Sequence, residues 1–288
     1  MSSRCLEAIA AGAAALLIAG PGAAAGVDVA AEGEALRVCA DPDNLPYSNA
    51  AEQGFENRIA GVIAAALGRA LRYEWQPLGR GFVRKTLGAG SCDVLIGVPA
   101  GFERVLTTRP YYRSVYVFVN RADAAHKLVS FDDPLLGHLA IGVQLVGDDL
   151  AATPPGHALS RHGAVERVVG YMAWGDGPAA ARAAADLAAG RLDAAVLWGP
   201  QAGWFARRSA VPLVVTPARP PADVPLPFEF EIAMGVRKDD RALRDALDRA
   251  IVERHDEIVA ILDAYAVPRL PLAGDGDATA GRSTGVRP

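Results

Sequence analysis

Leu36-Arg-Val-Cys39-Ala-Asp41-Pro-Asp-Asn44-Leu-Pro-Tyr47 is a short apolar run that ends in a polar, proline-rich turn. The pattern recurs with a longer apolar run in Cys92-Asp-Val-Leu-Ile-Gly-Val-Pro99. Continuous apolar runs of this kind are typical of strands buried in a parallel sheet. Open α/β sheets hold ligands beyond the carboxyl ends of such strands. Together with Arg109-Pro-Tyr111-Tyr112, the two stretches therefore predict one cleft.

The length and composition indicate a globular protein with two lobes. The chain has 288 residues, which is long for one core and sufficient for two. Hydrophobic residues make up 51% and charged residues 22%, as in ordinary globular proteins. The net charge is −4 and there is no long basic run, so neither nucleic acid nor an anionic membrane is favoured as a partner.

The first 25 residues have the pattern of a cleaved export signal. Arg4 is followed by an apolar run over residues 8–19 and by small residues at 23–25. The apolar run is too short to cross a bilayer, so stable membrane insertion is not predicted. A buried N-terminal helix is the alternative interpretation of this segment.

Two cysteines, Cys39 and Cys92, remain after removal of the predicted signal. In an oxidising compartment an isolated pair favours a disulfide, and two buried free thiols are the alternative. A zinc site is not predicted, because two cysteines without nearby histidines do not supply four ligands.

The order of apolar runs predicts an α/β fold. Strands and helices alternate as β-α-β-α-β at the start, and a similar set follows in the second half. Helical spacing covers residues 55–71, 179–189 and 241–266. We expect lobe 1 to comprise residues 36–115 and 232–271, lobe 2 residues 116–231, and a disordered tail residues 272–288. Two lobes with two crossings place a cleft between them.

Catalytic motifs are missing from the sequence. There is no Gly-x-Ser-x-Gly, His-Glu-x-x-His, phosphate loop or Gly-x-Gly-x-x-Gly, and the five histidines are scattered. We therefore predict no catalytic residue, no metal and no cofactor. Arg104, after the glycine-flanked turn 97–101, could clamp a carboxylate with two hydrogen bonds, and a local ion pair with Glu103 is the alternative.

Several blocks resemble periplasmic solute-binding proteins of the amino-acid type. They are Glu103-Arg104, Arg109-Pro-Tyr-Tyr112, Ala189-Gly-Arg-Leu-Asp-Ala-Ala195 and Met234-Gly-Val-Arg-Lys-Asp-Asp240. The resemblance covers most of residues 36–270. It implies the two-lobed type II binding-protein fold, in which each lobe is a mostly parallel sheet flanked by helices. Two hinge crossings would let the lobes close around the cleft.

Three departures from the amino-acid type disfavour an α-amino acid ligand. Arg104 stands where the family holds the ligand α-carboxylate, but residues 97–101 supply none of the usual hydroxyl groups. Trp198 stands where an Asp usually pairs with the α-ammonium. The usual Gly-Thr-Thr-like turn of lobe 2 is replaced by Val143-Gln144-Leu-Val-Gly. A buried ammonium without a carboxylate partner would be costly.

A longer set of motifs is similar to the MxaJ/XoxJ type, which are accessory proteins of PQQ-dependent methanol or alcohol dehydrogenases. The set includes residues 39–48, Gly54-Phe-Glu-Asn57, Arg80-Gly-Phe-Val-Arg84, residues 101–113 and 142–149, Thr153-Pro-Pro155 and Trp198-Gly-Pro200. The resemblance implies a periplasmic protein whose partner is such a dehydrogenase, with that enzyme's cytochrome c as a second candidate partner.

The predicted cleft residues, for a ligand or a partner, combine polar and aromatic side chains. They are Asp41, Asn44, Tyr47, Arg104, Tyr111, Tyr112, Gln144 and Trp198. The alternative function is a solute receptor of an ABC importer for a small carboxylate, with Arg104 as the residue that holds the ligand.

Overall fold

The computed structural model describes residues 35–146, 153–164, 166–172 and 177–273. The predicted export signal and residues 274–288 of the predicted tail lie outside this range. The strands are β1 (Leu36–Ala40), β2 (Asp43–Asn44), β3 (Ser48–Asn49), β4 (Leu71–Trp75), β5 (Val94–Pro99), β6 (Leu106–Thr107), β7 (Tyr112–Arg121), β8 (Ile141–Leu145), β9 (Val168–Met172), β10 (Ala194–Trp198), β11 (Leu213–Pro217) and β12 (Glu229–Val236). The helices are α1 (Phe55–Ala66), α2 (Phe82–Lys85), α3 (Pro154–Arg161), α4 (Ala179–Ala188), α5 (Gly199–Ala206), α6 (Arg241–Glu253) and α7 (His255–Ala264).

Each lobe contains a mostly parallel set of strands. In lobe 1 the order is β4-β1-β5-β12, with β1 parallel to β4 and β5 and with β12 antiparallel to β5. In lobe 2 the order is β7-β10-β8-β9, with β8 parallel to β9 and β10. Helices flank both sheets, which confirms the predicted α/β binding-protein fold. None of the helices in the described ranges is long and apolar enough to cross a bilayer.

Strands β7 and β12 connect the two lobes. They pair antiparallel with each other over Tyr112–Val115 and Glu229–Ile232. Beyond this segment β7 pairs with β10 and β11 in lobe 2, whereas β12 pairs with β5 in lobe 1. The two strands are the two hinge crossings of the fold. We retain as a proposal the lobe boundaries near residues 115 and 232, where this change of partner occurs.

The lobes have separate hydrophobic cores. In lobe 1, Phe55, Ile59 and Ile63 of α1 pack with Leu247 of α6 and Leu262 of α7 under the sheet. Fully burying side chains of this size contributes about 1.5–3 kcal/mol each.

In lobe 2, side chains alternate along β7, so this strand contributes apolar residues to the core on each face of the sheet. Phe118 packs with Ile141 and Phe228 on one face. Val117 and Val119 pack with Ala180 and Leu187 of α4 on the other.

The C-terminal helical segment differs from the prediction. One helix over residues 241–266 was expected, but the chain forms α6 and α7, which are separated at Arg254 with φ −104° and ψ 20°. The apolar spacing continues through this residue, so the periodicity alone did not reveal the break. Both helices still pack against α1, α6 through Leu247 and α7 through Leu262.

Two proline-containing dipeptides begin helices. Pro154-Pro155 opens α3, and Gly199-Pro200 opens α5. Proline is tolerated in the first helical turn, because the backbone N–H it lacks would have no partner inside the helix. Strands β9 and β11 were also not predicted.

Cys39 at the end of β1 and Cys92 before β5 form a disulfide, with 5.4 Å between their Cα atoms. The bond closes a loop across 53 residues and lies in a small buried cluster with Phe82 and Leu95. It therefore links two neighbouring strands of the lobe 1 sheet beside the predicted cleft.

Replacing both cysteines, in Cys39→Ala/Cys92→Ala, should lower the free energy of unfolding by about 4 kcal/mol, because a loop of this length restricts the unfolded chain. Urea unfolding of the purified protein measures this. Reduction of the wild type should lower stability by a similar amount and leave the double variant unchanged. Equal stability of the variant and the oxidised wild type would contradict the prediction.

Candidate functional site

A cavity of about 420 Å³ lies between the lobes. Its size is within the range of small-molecule sites. Lobe 1 contributes the ends of β1 and β5 and the turn after β1, and lobe 2 contributes residues of β8, β10 and α5. The lining residues are Cys39, Ala40, Asp41, Asn44, Tyr47, Ser48, Glu56, Leu78, Phe82, Leu95, Ile96, Gly97, Val98, Pro99, Tyr112, Tyr116, Gln144, Trp198, Gln201, Phe230 and Ile232.

The structure brings six of the eight predicted cleft residues to this cavity. They are Asp41, Asn44, Tyr47, Tyr112, Gln144 and Trp198. Of the other two, Tyr111 is buried beneath the site, where its hydroxyl donates to the carbonyl of Ile96 at 2.8 Å. Arg104 is exposed and does not belong to the lining, since its neighbour Val105 takes the buried position of the turn.

The Asp41 carboxylate shapes the turn after β1. One oxygen accepts the backbone N–H of Asp43 at 2.8 Å, and the other accepts that of Leu78 at 2.6 Å. The Ser48 hydroxyl donates to the Asp41 carbonyl at 2.8 Å. Both carboxylate oxygens are thus engaged by the protein, so the role of Asp41 in this geometry is to hold the turn that carries Tyr47.

Gln144 organises the lobe 2 wall. Its side-chain amide donates to the Gln201 side-chain carbonyl at 2.5 Å, and its own side-chain oxygen accepts the backbone N–H of Trp198 at 2.7 Å. The Thr153 hydroxyl donates to the backbone carbonyl of Gln144 at 2.7 Å. Gln144 is buried, and these bonds fix the start of α5 and the position of Trp198.

Aromatic side chains form much of the cavity wall. Trp198 lies edge-on to Tyr116 of β7 and to Phe230 of β12, with ring centroids 5.2 and 5.7 Å apart. On the lobe 1 side, Tyr47 packs against Phe55 at 5.2 Å. Trp198 and Phe230 contact the cores of both lobes, so the aromatic wall follows the hinge.

Glu56 is the site residue that the sequence analysis missed. Its carboxyl lies over Gly97, where any Cβ would overlap the Glu56 Oε1 atom. Burial raises the pKa of this carboxyl from 4.5 to about 8. Within the described residues, no hydrogen bond or ion pair engages the carboxyl, and no Arg, Lys or His lines the cavity.

The local sequence holds Glu56 at the start of α1. The side-chain oxygen of Asn57 accepts the backbone N–H of Gly54 at 3.0 Å and that of Asn49 at 3.1 Å. Gly54 is required, because a Cβ at this position would overlap the Tyr47 carbonyl. The motif Gly54-Phe-Glu-Asn57 therefore sets the side chain of residue 56 toward the cavity. The motif can be recognised in the sequence, but the sequence does not show that the Glu56 side chain faces the cavity.

The tyrosine side chains around Glu56 are neutral. Burial raises the pKa of Tyr47 and Tyr112 well above 10, and it raises that of Tyr116 to about 12. The described ranges contain no group of three His, Cys, Asp or Glu side chains that could hold a metal ion. The cavity is thus an aromatic space with one unpaired carboxyl. It suits an apolar or cationic group and disfavours an anion.

Glu56→Gln should remove a pH-dependent cost of folding. The folded protein holds the Glu56 proton up to about pH 8, whereas the unfolded chain releases it near 4.5. The free energy of unfolding of the wild type should therefore fall, relative to Glu56→Gln, as the pH rises from about 4.5 to above 8, by about 1–3 kcal/mol. Urea unfolding at both ends of this range measures the difference. Glu52→Gln changes an exposed position of the same segment and is the control, which should differ from the wild type by the same free energy of unfolding at both pH values. If the difference between the wild type and Glu56→Gln were also independent of pH, the prediction would be wrong.

Comparison with known proteins identifies the family. The model of the bacterial extracellular solute-binding proteins, family 3, matches residues 36–266. Protein MoxJ of Methylorubrum extorquens is 36% identical over 260 residues, which are 83% of this chain and 82% of that protein.

Two solved structures agree with this assignment. The periplasmic binding protein XoxJ from Methylobacterium extorquens AM1 is 39% identical with a TM-score of 0.69, and the match covers 82% of this chain and 100% of that one. MxaJ from Methlophaga aminisulfidivorans MPT is 25% identical with a TM-score of 0.71 and the same coverage. The chain therefore belongs to family 3 of the bacterial extracellular solute-binding proteins and, within it, to the MxaJ/XoxJ type.

Proposed function

We propose that this protein is a periplasmic accessory protein that binds a PQQ-dependent methanol or alcohol dehydrogenase and supports its maturation or activity. Residues 1–25 would direct export and be removed. The observation that supports this function most strongly is the similarity to MoxJ and XoxJ over most of the chain.

The cavity supports this function over carboxylate import. A carboxylate receptor needs a cation at the ligand, but Arg104 is exposed and the described lining contains no Arg, Lys or His. Among the described lining residues, the carboxyl of Glu56 has no hydrogen-bond or ion-pair partner. A carboxylate would meet a carboxyl group instead of a guanidinium, which is unfavourable.

A second concave surface has the chemistry of a protein contact. We call it the Trp204 groove; its described lining is Leu45, Gln53, Arg58, Trp204, Arg208, Ala260, Ile261, Ala264 and Tyr265. The rings of Trp204 and Tyr265 stack with centroids 4.5 Å apart and planes at 10°. Tryptophan, tyrosine and arginine are the residues that most often dominate protein–protein binding energy.

The Trp204 groove carries positive charge that no described carboxylate neutralises. The Arg208 guanidinium lies 3.0 Å from the centre of the Trp204 ring, and Arg58 donates to the Tyr265 hydroxyl at 2.8 Å. Neither guanidinium forms a salt bridge with any described carboxylate, and both residues are exposed. We propose that an acidic segment of the dehydrogenase with an apolar side chain docks here.

The Trp204 groove also touches both lobes. Trp204 and Arg208 belong to α5 and the residues just after it, whereas Arg58 lies in α1 and Tyr265 follows α7. A partner that binds this groove would therefore contact the two sides of the hinge. Docking would favour whichever lobe arrangement keeps the Trp204–Tyr265 stack, because a partner shifts an equilibrium by its different affinity for the two states.

Binding to the purified dehydrogenase of the same organism tests the function. Wild-type protein should bind in a pull-down and by calorimetry, and it should raise the yield of active enzyme or its turnover. The cytochrome c partner of that enzyme is a second binding test. Failure to bind the dehydrogenase together with no effect on its activity would overturn the proposed function.

Arg208→Glu should weaken the dehydrogenase complex by about tenfold or more, because a charge pair becomes a like-charge contact. Added salt should weaken the wild-type complex and leave the variant less affected. Arg207→Glu is the matched control, since Arg207 is the exposed neighbour outside the groove and should change affinity little. Equal affinity of both variants would reject the groove as the contact while leaving the accessory function in place.

A further inference from the structure

We infer that the cavity between the lobes binds an alkylammonium group, whose charge pairs with the Glu56 carboxylate and whose carbon substituents lie against the aromatic walls. The ligand class is a primary to quaternary organic amine. This proposal does not depend on the Trp204 groove, which lies on another surface and has its own lining.

The Glu56 carboxyl provides the charge. It lines the cavity, lies over Gly97 and has no hydrogen-bond or ion-pair partner among the described residues. The other acid of the lining, Asp41, has both oxygens engaged by backbone N–H groups. Glu56 is half-buried, and a carboxylate that is partly shielded from water without a partner is costly; a cationic ligand within contact distance would offset that cost.

The aromatic walls provide the remaining attraction. Tyr47, Tyr112, Tyr116, Trp198 and Phe230 all line the same cavity as Glu56. Faces of aromatic rings attract organic cations by about 0.5–2 kcal/mol each where water is excluded, and cages of this kind recognise methylated ammonium groups. A cavity of about 420 Å³ accommodates an ammonium group with several carbon atoms.

The proton on Glu56 predicts how binding depends on pH. The pKa of about 8 means that the empty cavity holds mostly the neutral acid at pH 7. A bound cation favours the carboxylate and should release that proton. The other titratable groups that face Glu56 are the tyrosines at 47, 73, 111 and 112, and burial keeps them neutral up to a higher pH.

An alkylammonium group has two possible sources with the same chemistry. One is a free amine, and the other is the side chain of a lysine on a partner segment that enters the cleft. The cavity chemistry is shared by both, so probes of the two kinds must be compared directly.

Isothermal titration of the purified protein with defined probes tests the proposal. Butylammonium and tetramethylammonium chloride should bind, whereas butan-1-ol and sodium butyrate should not, with sodium chloride as the ionic-strength control. Nα-acetyl-lysine methylamide tests the side-chain source. Binding at least as tight as that of butylammonium assigns a lysine side chain, and binding of the free amines alone assigns a small amine.

Tetramethylammonium keeps its charge at every pH, so its pH profile reports the protein alone. Its affinity should rise about tenfold per pH unit below 8 and level off above it. Proton release on binding, measured in two buffers of different ionisation enthalpy, should approach one proton per site below pH 7. A flat profile without proton release would overturn the role of Glu56.

Glu56→Gln should weaken the binding of both amines by tenfold or more and abolish the pH dependence. Gly97→Ala should weaken binding as well, because its Cβ displaces the carboxyl. Glu52→Gln, an exposed carboxylate of the same segment, should retain wild-type affinity. The proposal is overturned if neither amine binds the folded wild type, if butan-1-ol or butyrate binds as tightly, or if Glu56→Gln retains full affinity.

Discussion

The antiparallel pairing of β7 with β12 connects the strands of lobe 1 with those of lobe 2. It extends only over Tyr112–Val115 and Glu229–Ile232, yet it joins the two sheets and places both crossings side by side. Because side chains alternate along strands, β7 and β12 also deliver Tyr112, Tyr116 and Phe230 to the cavity. Scaffold, hinge and binding wall therefore share one set of backbone hydrogen bonds, and any change in lobe angle must alter the aromatic wall.

The charged side chains that line the cavity determine which ligands it favours. The solute-binding fold commonly presents a guanidinium to a ligand carboxylate, but here the turn that carries Arg104 buries Val105 and leaves the arginine in solvent. The acid Glu56 instead reaches the cavity from the start of α1. An acid that lines the cavity, in place of an arginine that is left in solvent, reverses the charge preference of the site, while the backbone architecture stays that of its family.

Much of the fold could be read from patterns of neighbouring residues. Apolar runs located β1 and β5, helical spacing located α1 and α4, and the resemblance in motifs indicated two lobes. Cys39 and Cys92 were expected to pair because they are the two cysteines that remain after removal of the predicted export signal, and they form a disulfide. The break at Arg254 escaped because apolar spacing continues across it. Glu56 escaped because a charged residue in the first turn of a helix is ordinarily solvated, and no local signal marks one that faces a cavity.

Local sequence determined most of the helices and the first strands, the cysteine pair and the family, because helix and strand periodicity, turn residues and motif spacing act over a few residues. Tertiary structure decided which polar groups share one space. Asp41 and Glu56 are both acids beside the cavity, but the Asp41 carboxylate accepts two backbone N–H groups, whereas the Glu56 carboxyl has no partner among the described residues and lies over Gly97. That difference depends on Leu78 and Gly97, which lie about 40 positions away along the chain, so it is established only when the strands and helices of lobe 1 are packed together.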